Sequence, residues 1–503
     1  MKQSDDDDYC VAVIGAGVMG QGIAQVCAMG SIQTLIFDAA DGAAAKAREQ
    51  VIARLNRLAE KGTLSAAEAE AMAACLEPVD AIEAIALADT VVEAVFEDLD
   101  LKQSLFREIE SHVRDDCIIA SNTSSIPIAS MASVCAHKGR VAGMHFFNPV
   151  PLMKLVEIIR APETDASVIP VLSALGKRMG RTPVVVKDAP GFLVNLGGRA
   201  YTTEGLRVAH DAIASPAEID AIMRDCCGFP MGPFELMDLT GIDVNYPVTT
   251  YIYSGYMNDP RLRTSPLHKA LFDSGRFGRK TKAGHYLYDD NGKMIDPPSP
   301  DFAADAAPAT VVALAEPDER LKGFCAEIGV EIAADDRGEV PVLAAPIGED
   351  CTHLTLRTGC DPRRLVALDL VCDTTTRVTL MTAPGADGKA LHQVAATIVR
   401  SGRAVTAIKD SPGFVAQRIR AMVANLGCYM AEIELASPDD IDLAMKLGLN
   451  YPQGPLEMVA DFGAPECLRV LEQLQSITAE ERYRPTLWLK RRAALGLDIE
   501  TPA

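Results

Sequence analysis

His145 and Glu157 lie in the stretch RVAGMHFFNPVPLMKLVEI, which runs from Arg140 to Ile158. An imidazole is the one side chain whose ordinary pKa lets it exchange a proton near neutral pH, and a carboxylate on its other ring nitrogen fixes the tautomer and steadies the imidazolium. The chemistry on offer is proton abstraction by an oriented base. Two apolar, β-favouring runs, Val141 to Phe147 and Lys154 to Ile159, flank Asn148, Pro149 and Pro151, so a strand, a turn and a returning strand are expected. A fold-back there sets the two side chains face to face. Taken alone, the stretch also reads as a half-buried strand histidine and an exposed glutamate, and the rest of the chain must decide.

A second candidate site comes first along the chain. The β-type run Tyr9 to Ile14 enters Gly15-Ala16-Gly17-Val18-Met19-Gly20, a helical pattern follows, and the next β-type run, Thr34 to Phe37, ends at Asp38. A bare GxGxxG says little, but between a strand and a helix, with an acidic residue about 20 positions on, it is the full dinucleotide fingerprint. Gly15 allows the tight turn, Gly17 the approach of a pyrophosphate and Gly20 the packing of helix on sheet, and the phosphates sit at a helix N-terminus. Asp38 would accept hydrogen bonds from the adenosine ribose and repel a 2′-phosphate, so the expected cofactor is NAD rather than NADP. The alternative is a glycine-rich turn without ligand.

Around these sites the pattern alternates between strand and helix. Asp41 to Leu76 reads as helical, and Arg54, Arg57 and Lys61 fall on one face of it. Such a stripe is either a solvated surface or a landing site for phosphates. Thr90 to Val95 reads as a strand leading to Glu97, Leu101 to Ile109 as a helix, and Cys117 to Ala120 as a strand. That strand delivers Ser121-Asn122-Thr123-Ser124-Ser125 to a sheet's carboxyl end, where open α/β sheets bind ligands. Val184 to Val186 reads as the last strand before a long helical region.

Composition bounds the partners. The 503 residues suggest roughly three or four domains, and 48% hydrophobic with 23% charged residues is ordinary for a soluble globular chain. A net charge of −21 argues against general nucleic-acid binding. Residues 11 to 30 carry no charge, yet their glycines and glutamines argue against a membrane helix, and no secretory leader is evident. The 13 cysteines are scattered, which fits a reduced, cytoplasmic setting; Cys351, His353 and Cys360 match no zinc spacing, so no metal is expected.

The first ~290 residues resemble the 3-hydroxyacyl-CoA dehydrogenases, through GAGVMG, the SNTSS loop, HFFNPVPLMKLVE, DAPGFLVN, GFPMGPFELMD and FGRKTKAG in that family's order. The length and the ending, with GLNYPQGPLE and EERYRP, resemble two-unit bacterial members associated with phenylacetate breakdown. The resemblance implies that His145 is the catalytic base, Glu157 its partner, and Ser124 and Asn195 neighbours of the reacting end of an acyl-CoA. It implies NAD contacts from Asp38, Glu97, Lys102, Asn148 and Lys280, joining Gly15, Gly17, Val18, Met19 and Gly20 of the fingerprint. It places Lys61 against coenzyme A and Arg54 where the family can have a serine. Lys282, His285 and the run Leu196-Gly197-Gly198 depart from the pattern. The implied reaction is oxidation of an L-3-hydroxyacyl-CoA to the 3-ketoacyl-CoA in phenylacetate or fatty-acid catabolism, with 3-hydroxyadipyl-CoA or 3-hydroxybutyryl-CoA as candidate substrates.

The chain then repeats itself. At a constant shift of 222 positions, Lys187-Asp188 matches Lys409-Asp410, Pro190-Gly191-Phe192 matches Pro412-Gly413-Phe414, and Gly232-Pro233 with Glu235 matches Gly454-Pro455 with Glu457. At a shift of 224, Asp369 falls opposite His145 and Gly348 opposite Ser124; at 222, Thr379 falls opposite Glu157 and Gln417 opposite Asn195. The copy lacks the chemistry and the glycine motif. The expected architecture is α/β plus all-α: a Rossmann-like domain over 1–186, a helical domain over 187–290, a linker over 291–306, a degenerate α/β remnant over 307–408 and a second helical domain over 409–503. The second half is expected to pack as a partner subunit would, giving a pseudo-dimer in one chain, with a homo-oligomer as the other possibility.

Two rivals remain at this level: an NAD-dependent dehydrogenase of a small hydroxy acid without coenzyme A, and a non-catalytic nucleotide-binding structural protein. A hydroxyadipyl substrate would want a cation near its distal carboxylate, which spacing alone does not identify.

Overall fold

The computed structural model of the chain describes residues 1–336 and 338–502. Packing divides it into two compact units, Met1–Leu196 with Ile433–Leu449, and Gly197–Glu432 with Asn450–Ala503.

The first unit is built on an eight-stranded sheet. Its elements are β1 (Cys10–Ile14), α1 (Val18–Met29), β2 (Gln33–Phe37), α2 (Ala43–Glu60), α3 (Ala66–Ala74), β3 (Leu76–Pro78), β4 (Thr90–Glu93), α4 (Leu99–His112), β5 (Ile118–Ser121), α5 (Ile128–Ala132), β6 (Val141–Phe146), β7 (Leu155–Arg160), α6 (Val168–Arg178) and β8 (Thr182–Lys187). The strand order is β3-β2-β1-β4-β5-β6-β7-β8. Every neighbouring pair is parallel except β6 and β7. The near-continuous apolar run of β1 is what a strand covered on both faces requires. The stretch from Asp41 to Leu76, expected to be helical, holds two helices, α2 and α3. The break follows Gly62, at φ +74°, and Ser65, whose side chain accepts from Glu68 N–H in a reciprocal capping box.

After β8 come α7 (Val194–Gly197), α8 (Arg199–His210), α9 (Pro216–Cys227), α10 (Pro233–Thr240), α11 (Ile242–Gly255) and α12 (Pro266–Asp273). A second α/β segment holds β9 (Val311–Leu314), α13 (Glu319–Glu327), β10 (Glu331–Ile332), β11 (Val342–Ala344), α14 (Cys351–Thr358), β12 (Leu365–Leu368), β13 (Arg377–Met381), α15 (Gly388–Arg400) and β14 (Ala404–Ile408). Its sheet runs β10-β9-β11-β12-β13-β14, and only β12 and β13 are antiparallel, as β6 and β7 are. The chain closes with α16 (Ala416–Glu432), α17 (Pro438–Leu449), α18 (Pro455–Phe462), α19 (Ala464–Thr478) and α20 (Leu487–Leu495).

The packing units cut across the boundaries expected at 187 and 409. Within the first unit α17, from the second half of the chain, packs on β7 and β8, and Leu435 accepts from Lys187 N–H at 2.8 Å. Within the second unit α9 packs on β13, and Ile213 accepts from Lys409 N–H at 3.0 Å. The four residues are related by the same shift of 222, so the contact is made twice with the halves exchanged. Gly205 and Gly427 repeat the relation: a Cβ on either would meet Pro233 or Pro455 at 2.7 or 2.4 Å, so glycine lets α8 and α16 seat α10 and α18 closely.

No disulfide joins any of the 13 cysteines. Among the described residues no helix is long and apolar enough to cross a membrane, and no cluster of His, Cys, Asp or Glu could hold a metal ion. His353 instead bonds Asp350, the N-cap of α14.

Candidate active site

The returning strand places the base and its partner. In the β6–β7 ladder His145 and Glu157 are direct register partners, and His145 Nδ1 lies 2.6 Å from Glu157 Oε2. The other carboxylate oxygen accepts the N–H groups of Leu193 and Val194 at 3.0 and 2.8 Å, at the start of α7. Both side chains are buried, and the imidazole sits against the rings of Phe147 and Phe192. A carboxylate so anchored cannot swing away, and it favours the tautomer in which Nδ1 carries the proton. Nε2 is thereby the nitrogen available to a substrate hydroxyl.

Asn195, on the same short helix, donates from Nδ2 to the Ser124 carbonyl at 3.3 Å. Ser124 belongs to the loop after β5, which wraps the Glu97 carboxylate: Glu97 Oε1 accepts from the Ser124 and Ser125 N–H groups, each at 3.1 Å, and from the Thr123 and Ser125 hydroxyls at 2.6 and 2.9 Å. Lys102, buried on α4, bridges Glu97 at 3.1 Å and Glu93 at 2.8 Å. Burial pushes the Glu97 carboxyl up, but the Lys102 charge and these hydroxyls prevail and hold it down to about 2. Glu93 was not singled out from the sequence. It ends β4 fully buried and also accepts from the Ser121 hydroxyl at 2.6 Å, so it ties β4, β5 and α4 together beneath the serine loop. Glutamate at a strand end ordinarily reads as solvated, and only the lysine nine residues later hinted otherwise.

The glycine-rich turn has the form its motif implies. Gly15 has φ +108°, and a Cβ there would lie 2.5 Å from the Ala94 carbonyl oxygen. A Cβ on Gly20 would meet the Gly15 carbonyl oxygen at 1.7 Å, whereas one on Gly17 would meet nothing within 4 Å. Gly17 caps α1 without any side-chain hydrogen bond, and Val18 beside it is exposed, with Met19 partly buried. An open N-terminus with backbone N–H groups and space in front is what a pyrophosphate needs, so these residues fit NAD. Asp38 accepts from Ala16 N–H at 2.7 Å and Ala40 N–H at 2.9 Å, which locks the turn and leaves lone pairs for a ribose. Asn148 is exposed at the end of β6.

Of the basic stripe, Arg54 is half-buried and donates to Gln21 Oε1 at 3.1 Å, while Arg57 and Lys61 are exposed at the end of α2. Burial lowers the Arg54 pKa. Lys280 lies in the second unit and pairs with Asp243.

The copy has the same frame with other side chains. Asp369 N–H donates to the Thr379 carbonyl at 3.0 Å, continuing the β12–β13 ladder where the first sheet has His145 and Glu157. Gln417 donates to Asp369 at 3.0 Å and accepts from Gly348 N–H at 2.9 Å, as Asn195 reaches the Ser124 position. The frame is kept, but the imidazole and its glutamate are absent from those positions.

Comparisons with known proteins agree with this reading. Residues 10–189 match the family model described as 3-hydroxyacyl-CoA dehydrogenase, NAD binding domain. The model for that family's C-terminal domain matches twice, over 191–288 and 413–498, which bears out the duplicated helical domain. The chain is 37% identical over 493 residues, 98% of each protein, to the 3-hydroxyadipyl-CoA dehydrogenase of Escherichia coli K12. A crystal structure of 3-hydroxybutyryl-CoA dehydrogenase from Escherichia coli K12 is similar with a TM-score of 0.85 and 35% identity, over 97% of this chain and 98% of that one. A (S)-3-hydroxybutyryl-CoA dehydrogenase structure from Ralstonia eutropha matches with a TM-score of 0.54 and 38% identity, over 56% of this chain and 99% of its own.

Proposed function

This chain belongs to the 3-hydroxyacyl-CoA dehydrogenase family, and on that premise we propose the residues that carry out its NAD-dependent oxidation of 3-hydroxyacyl-CoA to 3-ketoacyl-CoA. His145 takes the proton of the C3 hydroxyl of an L-3-hydroxyacyl-CoA through Nε2. The Gly15–Gly20 turn and Asp38 would hold NAD, which would supply the acceptor for the C3 hydride. As the imidazole becomes charged, Glu157 opposes that charge from 2.6 Å in a site shielded from water. Ser124 and Asn195 hold the reacting oxygen against the base. Glu97 and Lys102 keep the serine loop in place beside the cofactor, with Asn148 as a further cofactor contact. Arg54, Arg57 and Lys61 receive the phosphates of coenzyme A.

The observation that carries this assignment is the fully anchored carboxylate: a glutamate with one oxygen on two backbone N–H groups and the other on an imidazole serves an oriented base better than a packing contact. Among the relatives, the two full-length matches, one a 3-hydroxyadipyl-CoA dehydrogenase and one a 3-hydroxybutyryl-CoA dehydrogenase, support a six-carbon diacid and a four-carbon substrate alike. The twice-made contact of Lys187 with Leu435 and Lys409 with Ile213 supports a second half that stands in for a partner subunit. Cysteines that form no disulfide support a reducing, cytoplasmic setting. The test is NADH formation with 3-hydroxyadipyl-CoA, 3-hydroxybutyryl-CoA and free 3-hydroxybutyrate. Turnover confined to the thioesters is expected, and equal turnover of the free acid contradicts the coenzyme A assignment.

A further inference from the structure

Two thiols from distant parts of the chain face each other within the second unit. Cys227, the last residue of α9, donates to the Cys372 sulfur at 3.8 Å, and Cys372 lies in the loop between β12 and β13. Both residues are partly exposed. They stand 145 positions apart in sequence, yet the backbone beside them is pinned. Asp373 N–H donates to the Cys226 carbonyl at 3.1 Å, and Arg377 Nε donates to Asp225 at 2.8 Å. Cys226 itself is buried and turns to the Arg377 carbonyl at 3.5 Å. The sulfurs of Cys227 and Cys372 therefore meet on a held frame, and need only close from 3.8 Å to about 2 Å to bond.

The surroundings of the two sulfurs differ. Cys372 Sγ also accepts from Arg420 Nη1 at 3.4 Å, and Nη2 of that buried guanidinium pairs with Asp461 at 2.5 Å. A cation beside a sulfur favours the thiolate, the form that attacks. Cys227 is the donor of the pair. Its hydrogen bond to Cys372 first, then burial, pushes its thiol pKa well above the ordinary value, so it is the one that stays protonated. Packing does not demand this pair: at the shifts of 222 and 224, Cys227 and Cys372 fall opposite Leu449 and Asn148, so the contact made twice carries thiols once.

We propose that Cys227 and Cys372 form a peroxide-responsive dithiol, with Cys372 the attacking sulfur and Cys227 the resolving one, whose oxidation clamps α9 to the β12–β13 loop. In the first step the Cys372 thiolate attacks one oxygen of hydrogen peroxide. An S–O bond forms, the O–O bond breaks, and the departing hydroxide leaves as water with the proton that the Cys372 thiol gave up. In the second, the Cys227 sulfur attacks the Cys372 sulfenic sulfur: the S–S bond forms, the S–O bond breaks, and the hydroxyl leaves as water with the Cys227 proton. Two sulfurs are oxidised by one electron each, and one peroxide is reduced to two waters. A dithiol reductant reverses the change, as a chain kept reduced at rest requires. The inference is independent of the residues assigned to the dehydrogenase reaction.

The experiment treats the full, reduced chain with equimolar hydrogen peroxide, blocks the remaining thiols with N-ethylmaleimide and maps the peptides without reduction. A Cys227–Cys372 disulfide is expected, formed at least about tenfold faster than oxidation at any other cysteine and reversed by dithiothreitol. Its formation should raise the thermal midpoint by about 2–4 °C, as a cross-link that closes a long loop does. Cys227→Ser should stop at a Cys372 sulfenic acid that dimedone captures, and Cys372→Ser should leave Cys227 unoxidised, with dehydrogenase turnover retained in both. Oxidation spread evenly over the 13 cysteines, a sulfenic acid on Cys227 in Cys372→Ser, or an oxidised chain whose thermal midpoint does not move overturns the proposal.

Discussion

Glu157 is gripped at both ends: Oε2 lies 2.6 Å from His145 Nδ1, and Oε1 takes the N–H groups of Leu193 and Val194. Because the carboxylate is buried and held, its effect on the ring is one of tautomer and charge rather than of position. Glu157→Gln keeps the shape but turns a donor toward Nδ1, which moves the ring proton to Nε2 and removes the lone pair that would take the substrate proton. Turnover should fall about 10² to 10⁴-fold with NAD binding retained. Steady-state kinetics with nucleotide titration reads this, and a loss under threefold contradicts the role.

Asp38 locks the glycine turn by accepting from Ala16 and Ala40 N–H, and is proposed above to meet the ribose. Asp38→Ala should raise the KM for NAD about tenfold and lift the relative use of NADP, since a negative charge no longer opposes a 2′-phosphate. The ratio of kcat/KM for the two nucleotides measures it. An unchanged ratio would put ribose recognition elsewhere.

Glu97 gives a pH signature. Its carboxyl is held down to about 2 from an ordinary 4.5, so it contributes stability that is fully present above pH 4.5 and is lost as pH falls toward 2. Thermal melts from pH 3 to 7 should show a shallower acid-side decline for Glu97→Gln than for the unaltered chain. Parallel declines contradict the Lys102 and hydroxyl network as the cause.

Glu204 ties the halves of the chain inside the second unit. Fully buried on α8, it pairs with Arg418 at 2.5 Å and Arg482 at 3.0 Å and accepts from the Tyr483 hydroxyl at 2.9 Å. Glu204→Ala removes the buried carboxylate shared by two guanidinium groups, leaving Arg418 with Asp211 at 3.5 Å, and should cost about 3–5 kcal/mol, read by urea denaturation. A chain ended at residue 300 strands Glu204 instead and should aggregate or self-associate. One that stays monomeric, soluble and fully active contradicts the partner-subunit role of the second half.

The parts legible in the sequence were those encoded locally. Alternation with a proline-marked gap located β6 and β7, and the two-residue period of a strand then put His145 opposite Glu157. The glycine spacing gave the nucleotide turn, and the fixed shift of 222 gave the duplication. What escaped depends on elements distant along the chain. Glu93 becomes a buried hub only when β4, β5 and α4 converge on Lys102 and Ser121. The contacts around α17 and α9 join residues 246 and 152 positions apart along the chain, which no local pattern encodes. Cys227 and Cys372 read as scattered cysteines until α9 meets the β12–β13 loop.

The central claim is that the proton leaves through position 145. Stopped-flow NADH formation by His145→Gln with saturating NAD and 3-hydroxyadipyl-CoA tests it most directly: a folded protein with unchanged NAD affinity and a rate lower by about 10² to 10⁴ is expected. Turnover near that of the unaltered enzyme would contradict the account.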